Sequence, residues 1–398
     1  MAMASPTRVP VQDDGDSPVM RLPEELITNI LTRLPVKSLL RLTRVSKAWR
    51  SLIRSPAFAR AHILLTAGDA RRLFLVASDS DEGTHSSVHS LTRDDDSSLI
   101  SLHPLDSPPP CPCGSPTIVG ACNGILCLTP GGCNLFLWNP ATGTSWELPA
   151  PFGSDCCVRF GFGYHEKSQD YKVVKISSFE SSDGSGYGNN VQIYSLKANS
   201  WTSIYNYNTG YTTEKWILSW GFEGGYIHNH GGVFLKGALH WDVCHRNSPP
   251  EILAVDLDKA DKYRTIPFPT CDNENEELGM RLEVLWGHLA LCLFSPSEKT
   301  VEVWAMKEYG DAGSWIRMVC AQSPADLEVE GNVSVLYASQ DWNEFLFNVG
   351  NQLVCYNVNG GSLKKLEEYD WTSSLRLQSA TYSETTALTN RVCFYFPI

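Results

Sequence analysis

The chain has 398 residues, of which 42% are apolar and 19% are charged, and these proportions are typical of a globular protein rather than a disordered one. At this length we expect one small module and one large domain. The net charge of −12 argues against a general binder of nucleic acids or anionic membranes. The charge is uneven, because residues 21–60 carry nine Lys or Arg against two acids, a local +7 that leaves −19 for the remainder. This basic stretch predicts a surface with its own partner.

The cysteine pattern favours free thiols. There are thirteen cysteines, an odd number, and residues 1–20 have no apolar core of a signal peptide. We therefore expect a cytoplasmic or nuclear protein, or one found in both places, with residues 1–20 as a disordered leader. Neither Cys111 and Cys113 nor Cys156 and Cys157 have the spacing of a zinc site, so we expect no metal and no cofactor.

Residues 21–65 have the pattern of a small helical domain with three short helices. Pro23, followed by two acidic residues, is typical of the first turn of a helix. Pro35 ends that helix, and a second begins at Val36. Apolar residues recur at helical spacing from Val45 onwards, and Ser46 is placed to cap the third helix.

The first of these helices is apolar on two faces. Leu26 and Ile30 mark one face, while Ile27 and Leu31 mark the other. Three short helices cannot bury both faces by themselves, so a partner must cover one of them. The basic residues around this surface predict that the partner is acidic.

From residue 70 onwards the pattern is that of short strands separated by turns. A unit of two strands joined by a polar turn recurs every 50 to 60 residues or so, which is close to the period of kelch-type propellers. Each unit follows another strand pair, whose turns include Asn123-Gly124 and Lys236-Gly237. Four strands per unit predict a propeller blade. Five blades are visible, and strands near residues 73–104 and 375–388 are predicted to complete a sixth across the chain ends.

Two sets of motifs resemble known families. The segment Leu22–Ile53, followed by Ser55-Pro56-Ala57-Phe58, resembles the F-box. The remainder resembles the plant F-box-associated interaction domain. The motifs that carry this second resemblance are Leu137–Pro140, Gly161–Tyr164, Asp170–Val174, Leu239–Trp241, and Val301–Gly310 with Ser314 and Trp315.

This resemblance implies a small all-α F-box at residues 21–65 followed by an all-β propeller of kelch type, with about six blades, at residues 70–398. It also implies a substrate-receptor subunit of an SCF-type cullin-RING ubiquitin ligase, which is not itself an enzyme. The F-box would bind a Skp-type adaptor, and through it cullin and RING subunits, while the propeller recruits an unknown protein substrate. The predicted adaptor-binding residues are Leu22, Pro23, Leu26, Ile30, Leu31, Pro35, Val36, Leu39, Leu40, Val45, Trp49 and Leu52. For Trp49, a place in the core of the helices stays open as an alternative.

Three other functions compete with this interpretation. A helix-turn-helix DNA reader is disfavoured, since the third helix carries Trp49 and Leu52 where base readout needs polar side chains. A non-ligase propeller scaffold stays open. An enzyme that uses the propeller channel is a weaker alternative, because no catalytic motif surrounds the candidate histidines. These are His165, His228, His230, His240 and His245.

An aromatic insertion between the second and third repeats is the predicted substrate-binding surface. Aromatic side chains on loops offer large, rigid contact areas. The residues concerned are Tyr205, Tyr207, Tyr211, Trp216 and Tyr226. The alternative is that Trp216, Leu218 and Trp220 alternate along a blade strand. Four further tryptophans are expected to lie in the blade cores, namely Trp146, Trp201, Trp304 and Trp315.

Overall fold

The structure is a computed structural model of the chain. The described residues are 22–66, 72–79, 86–93, 100–104, 117–129, 134–152, 158–180, 187–204, 217–218, 231–245, 248–258, 263–269, 279–322, 333–349, 352–365, 375–382 and 385–387. Among these residues, no helix is long and apolar enough to cross a membrane.

Four helices form the N-terminal domain: α1 (Glu24–Leu31), α2 (Val36–Leu42), α3 (Lys47–Ile53) and α4 (Pro56–Thr66). The predicted helix starts are confirmed, since Pro23 and Pro35 directly precede α1 and α2. The Ser46 hydroxyl accepts a hydrogen bond from the backbone N–H of Trp49 at 3.1 Å, as a cap of α3 does.

The prediction of three helices was wrong, because residues 56–66 form a fourth. The start signal for α4 is present in the sequence. The Ser55 hydroxyl accepts from the backbone N–H of Phe58 at 3.1 Å, and Pro56 occupies the first helical position. The His62 ring then bonds the Leu34 carbonyl at 2.9 Å, which ties α4 to the chain after α1.

The helical domain has its own small core. Leu31, Leu39, Ile53 and Phe58, one residue from each helix, are almost completely buried together. Other side chains pack against this cluster from its edge, namely Ile27, Leu34, Leu42, Trp49 and Leu52. One face of each helix is therefore used for internal packing, and the opposite faces stay in solvent.

Strands make up the remainder of the described chain. In chain order they are β1 (Arg72–Asp79), β2 (Ser86–Arg93), β3 (Ile100–Pro104), β4 (Thr117–Cys122), β5 (Ile125–Thr129), β6 (Leu135–Asn139), β7 (Thr144–Leu148), β8 (Val158–His165), β9 (Asp170–Glu180), β10 (Tyr187–Ser195), β11 (Ser200–Ile204), β12 (Ile217–Leu218), β13 (Val233–Leu235), β14 (Ala238–His245), β15 (Ser248–Asp256), β16 (Tyr263–Pro267), β17 (Gly279–Leu285), β18 (His288–Ser295), β19 (Thr300–Met306), β20 (Trp315–Gln322), β21 (Val333–Ala338), β22 (Glu344–Val349), β23 (Gln352–Asn357), β24 (Ser362–Lys365) and β25 (Leu375–Tyr382).

These strands form antiparallel sheets arranged as a β-propeller. Five blades each use consecutive strands: β4–β7, β8–β11, β12–β16, β17–β20 and β21–β24. The prediction of about six blades was therefore wrong, since the described residues form five blades of consecutive strands. A further sheet, in the order β25-β1-β2-β3, is shared by the two chain ends. The propeller is confirmed, while its kelch type stays a prediction.

The shared sheet confirms the predicted pairing of the chain ends. The strand β25 runs antiparallel to β1, with Leu75 opposite Ser379 and Asp79 opposite Leu375. Without β25, β1 would lose its partner on one side and present unpaired backbone groups. The first and the last of the described strands are therefore held together by hydrogen bonds, although they lie far apart in the sequence.

The predicted hairpin turns are also confirmed. Asn123 and Gly124 have φ of 50° and 72°, and Lys236 and Gly237 have φ of 48° and 79°. Two successive residues at positive φ are the conformation that the tight turn of a twisted hairpin requires. These turns set the register of the strand pairs β4–β5 and β13–β14.

The helical domain contacts one of the two ends of the propeller. Because pairing within each blade is antiparallel, and neighbouring innermost strands run parallel, alternate connections lie at opposite ends. The short turns 123–124, 166–169 and 236–237 lie at one end, where Arg60 of α4 also forms an ion pair with Glu166 at 2.7 Å. We call this the helix end. The strand ends that flank the connection 268–278 lie at the opposite end, which we call the far end.

The innermost strand of the third blade is interrupted. Both β12 and β13 pair with β14, with Ile217 opposite Cys244 and Val233 opposite His240. Just before β13, the backbone N–H of Gly232 donates to the Phe160 carbonyl at 2.8 Å. A Cβ at Gly232 would lie 2.4 Å from the Trp241 ring, so only glycine fits there.

Candidate functional site

The helical domain exposes a row of large apolar side chains. Leu22, Leu26 and Ile30 follow one another at intervals of four residues and are 52%, 50% and 53% exposed. Val45, at the start of the segment leading into α3, is 63% exposed. We call these four residues the exposed apolar surface. Side chains of this kind in a row indicate a contact for another molecule.

Leu26 and Ile30 cannot be buried within the helical domain, because the opposite face of α1 already packs in its core. Ile27 and Leu31 already fill the core of the domain. Rotating the helix to bury Leu26 would expose Leu31, which is 2% exposed. The predicted division of α1 into two apolar faces is therefore correct, and only one face is covered within the chain.

The structure separates the predicted adaptor-binding residues into three groups. Leu22, Pro23, Leu26, Ile30, Pro35 and Val45 are exposed, and Leu40, Trp49 and Leu52 are half-buried. The remaining three were placed wrongly on the surface, since Leu31, Val36 and Leu39 are almost completely buried. They fall on the inward side of their helices, where the sequence pattern alone did not distinguish the two apolar faces.

The exposed charge of the helical domain is mostly positive. The exposed basic residues of this domain are Arg33, Lys37, Arg41, Arg44, Lys47 and Arg50. It also has two exposed acids, Glu24 and Glu25, in the first turn of α1. A domain that exposes apolar side chains together with mostly positive charge fits a partner with an apolar patch in an acidic surface.

The predicted substrate-binding residues Tyr205, Tyr207, Tyr211, Trp216 and Tyr226 lie outside the described residues. Between them, Ile217 and Leu218 form β12 on the edge of β14. The competing prediction of a blade strand in this region is therefore correct at Leu218, while the positions of Trp216 and Trp220 are outside the description.

The four blade tryptophans occupy the positions expected of packing residues. Trp201 and Trp315 are buried, and each indole N–H donates across to the preceding blade. Trp201 reaches the Pro149 carbonyl at 2.7 Å and Trp315 reaches the Pro267 carbonyl at 3.1 Å. Trp146 and Trp304 are half-buried and pack against core clusters.

The described histidines are engaged in structural contacts. His240 is fully buried, its Nδ1 bonds the Val233 carbonyl at 3.1 Å, and its Nε2 bonds the Tyr309 hydroxyl at 2.7 Å. Burial, helped by the positive charge of Arg264, lowers the pKa of His240 to about 4. His165 bonds the Ser168 hydroxyl at 2.6 Å and lies 3.3 Å from an Asp258 oxygen. The other candidates, His228, His230 and the side chain of His245, lie outside the description.

The buried cysteines are poor nucleophiles. Burial raises the pKa of the Cys122 and Cys127 thiols far above neutrality, and that of Cys292 to about 12. A thiol with such a pKa carries almost no thiolate at neutral pH. Within the described ranges, no group of three His, Cys, Asp or Glu is arranged to hold a metal ion.

A polar clamp that the sequence did not reveal lies at the far end. The Gln192 side chain accepts from the backbone N–H of Phe152 at 3.0 Å and donates to its carbonyl at 2.8 Å. Lys175 donates to the same carbonyl at 3.0 Å. A Lys and a Gln in neighbouring strands give no sequence signal for this arrangement, because the residue they hold is 23 and 40 positions away.

Comparison with known proteins agrees with this architecture. Residues 84–397 match the family described as the F-box associated beta propeller domain, and residues 19–60 match the F-box domain. The chain therefore belongs to the F-box proteins with an F-box-associated β-propeller domain.

Its relatives include F-box protein CPR1 of Arabidopsis thaliana, which is 29% identical over 89% of this chain and 86% of that protein. Another relative, an F-box/kelch-repeat protein of Arabidopsis thaliana, is 26% identical over 85% of this chain and 88% of that one. A solved structure of the tricorn protease aligns with a TM-score of 0.39 at 6% identity, over 77% of this chain and 30% of that one. A likeness at that level carries no functional argument.

Proposed function

We propose that this protein is the substrate-receptor subunit of an SCF-type cullin-RING ubiquitin ligase. The observation that carries the proposal is the exposed apolar surface on an F-box domain. In this proposal the surface binds a Skp-type adaptor, which connects to the cullin and RING subunits. The chain then contributes no catalytic group, because bringing a protein close to the ubiquitin-conjugating enzyme is sufficient.

The physical basis is the free energy available from covering this surface. Fully burying one side chain of the size of Leu or Ile contributes about 1.5 to 3 kcal/mol. Leu26 and Ile30 are each about half exposed in the free chain, so a partner gains a sizeable part of that on contact. The exposed basic residues of the same domain favour an acidic adaptor and speed its approach.

The propeller is the substrate-binding part in this proposal. The F-box lies near the helix end, through the contact of Arg60 with Glu166. The far end is therefore free for a protein substrate while the adaptor occupies the F-box. Five described cysteines are free thiols, which supports the proposal that the protein works in the cytoplasm or the nucleus.

Reconstitution with purified components tests the proposal. The wild-type chain is expected to elute with a Skp-type adaptor, whereas Leu26→Asp loses the complex because it places a charge in an apolar contact. The matched control is Ile316→Asp on the outer strand β20, since Ile316 is 50% exposed, as Leu26 is. The proposal fails if Leu26→Asp binds the adaptor as tightly as the control does.

A further inference from the structure

We propose that Phe152 is an anchor residue for the protein substrate, held in place by the clamp of Lys175 and Gln192. This inference rests on the proposed function, because it assigns a contact residue to the same substrate-binding propeller. The substrate would offer an apolar pocket or an apolar side chain to the phenyl ring.

The first argument is the contrast between the backbone and the side chain of Phe152. Its backbone is held on both sides by polar groups of Gln192 and Lys175, which are 1% and 0% exposed. The residue as a whole is nevertheless 61% exposed. Burying two polar side chains is unfavourable unless they are hydrogen-bonded, and the bonds that help to satisfy Gln192 and Lys175 also fix the backbone of Phe152. The fixed residue is a large apolar one in solvent.

The second argument is the rigidity of the segment that carries Phe152. The segment Pro149–Phe152 contains two prolines, which restrict its backbone before folding. At the start of the segment, the Trp201 indole N–H donates a hydrogen bond to the Pro149 carbonyl at 2.7 Å. At its end, Gln192 and Lys175 bind the backbone of Phe152. An aromatic side chain on a pre-ordered segment loses little conformational entropy on binding, which is the property of an anchor.

An equivalent segment elsewhere in the propeller shows that the blade itself does not need Phe152. At the end of β16, the carbonyl of Pro267 accepts a hydrogen bond from the Trp315 indole N–H, just as the carbonyl of Pro149 accepts one from that of Trp201. There the aromatic residue is Phe268, which is half-buried and packs against the blade core. Phe152 lies one position beyond the second proline of its segment and faces solvent instead. In both places the contact between blades is made by a proline carbonyl and a tryptophan N–H. The phenyl ring of Phe152 takes no part in that contact.

The position of Phe152 identifies the substrate as the occupant. It lies in the connection between β7 and β8, at the far end, whereas the F-box domain that would bind the adaptor contacts the helix end. The clamp uses the amide of Gln192 on backbone groups of Phe152, so the surface offered at this point is apolar. Pro149 and Ala150 beside it are also exposed and apolar. An apolar feature on the partner is the complement of this segment.

Site-specific photo-crosslinking tests the inference. The full chain is expressed with p-benzoylphenylalanine in place of Phe152 or, as a matched control, of Tyr263, an aromatic residue that is 45% exposed on the outer strand β16. The protein cross-linked at position 152, and not at 263, is identified and offered to the ligase reconstituted with adaptor, cullin and RING subunits. We expect Phe152→Ser to lower its ubiquitylation roughly tenfold or more, and Tyr263→Ser to leave it unchanged. Thermal unfolding of Phe152→Ser should match the wild type, because the ring is exposed.

Three results would overturn the inference: no cross-link at position 152, a cross-link only to this chain or a second copy of it, or unchanged ubiquitylation with Phe152→Ser. In each case the proposed function survives if the wild-type chain binds the adaptor and its ligase ubiquitylates a protein. Failure of adaptor binding by the wild-type chain would instead remove the proposed function, and with it the assignment of Phe152 to a substrate, whatever protein is cross-linked at position 152.

Discussion

The side-chain amide of Asn139 donates hydrogen bonds to the carbonyls of Thr385, at 3.0 Å, and of Ala387, at 2.6 Å. Asn139 is the last residue of β6 and is fully buried. Its carbonyl oxygen accepts from the backbone N–H of Ala141 at 2.9 Å, which holds the side chain in place. One blade residue therefore fastens the chain that follows β25, the strand that completes the shared sheet.

Replacing Asn139 by Ala should destabilise the propeller. The change removes both donors and leaves the carbonyls of buried Thr385 and half-buried Ala387 without them, a cost of about 1 to 3 kcal/mol. Chemical denaturation of the full chain measures the change in the free energy of unfolding. Asn134→Ala is the control, because Asn134 is exposed. Equal stability of the two variants would show that the Asn139 bonds do not hold the chain end.

Deleting residues 375–398 should have a larger effect of the same kind. The deletion removes β25 and leaves one side of β1 without a strand. Such an open edge promotes association between molecules. We expect the truncated chain to aggregate or to lose cooperative thermal unfolding, as measured by size-exclusion chromatography and calorimetry. A monomeric truncation that melts like the full chain would contradict the role of the shared sheet.

Much of this fold follows from sequence patterns that are local. Helix starts such as Pro35 and turns such as Asn123-Gly124 depend on neighbouring residues, so they are predictable. The contact of Asn139 with Thr385 spans 246 residues, and no local pattern indicates it. Likewise, apolar periodicity in α1 predicted two apolar faces but did not show which one the other helices cover.

The buried and exposed faces of α1 should respond differently to truncation. Leu31→Ala opens a cavity in the F-box core and should destabilise the helical domain by about 2 to 5 kcal/mol. Leu26→Ala removes an exposed side chain and should leave that stability nearly unchanged while weakening adaptor binding. Amide hydrogen exchange of α1 to α4 distinguishes the two variants. Similar protection in both would mean that Leu31 is not part of the core.

The His240 contact predicts that stability falls in mild acid. The Val233 carbonyl only accepts, so Nδ1 carries the proton and Nε2 accepts from the Tyr309 hydroxyl, which requires a neutral ring. The pKa of His240 is lowered from 6.5 to about 4 in the folded chain. The unfolded chain therefore binds the proton first as pH falls. This contribution to stability is complete above pH 6.5 or so and is lost progressively as pH falls towards 4.

The loss expected from His240 between about pH 7.5 and pH 5.5 is roughly 1 kcal/mol. Denaturation curves at both pH values measure it. In His240→Gln the loss of stability over this range should be smaller by that amount. The control is His288→Gln, which removes a half-buried histidine bonded to the Met306 carbonyl at 3.1 Å. An unchanged pH dependence in His240→Gln would show that His240 is not the group responsible.

The part of the candidate site that sequence reasoning missed depends on cross-strand geometry. Gln192 lies opposite Lys175 in the register of β9 and β10. Both side chains bind the backbone of Phe152, which lies in the connection between β7 and β8. The periodicity of apolar residues predicts the strand in which a residue lies. It does not predict the hydrogen bonds that its side chain makes to the backbone of a residue far away in the sequence. The aromatic residues proposed from sequence for substrate binding, such as Tyr211, stay a prediction.

Paired co-precipitation from cells tests whether adaptor and substrate bind to different surfaces of one non-catalytic receptor. The tagged full chain, its Leu26→Asp variant and its Ile316→Asp control are compared for bound adaptor and for the protein identified by the cross-link at position 152. We expect Leu26→Asp to lose the adaptor, to keep the substrate and to let that substrate accumulate, whereas Ile316→Asp behaves like the wild type. Retention of the adaptor by Leu26→Asp, or an unchanged level of the substrate when the adaptor is lost, would show that the protein is not such a receptor.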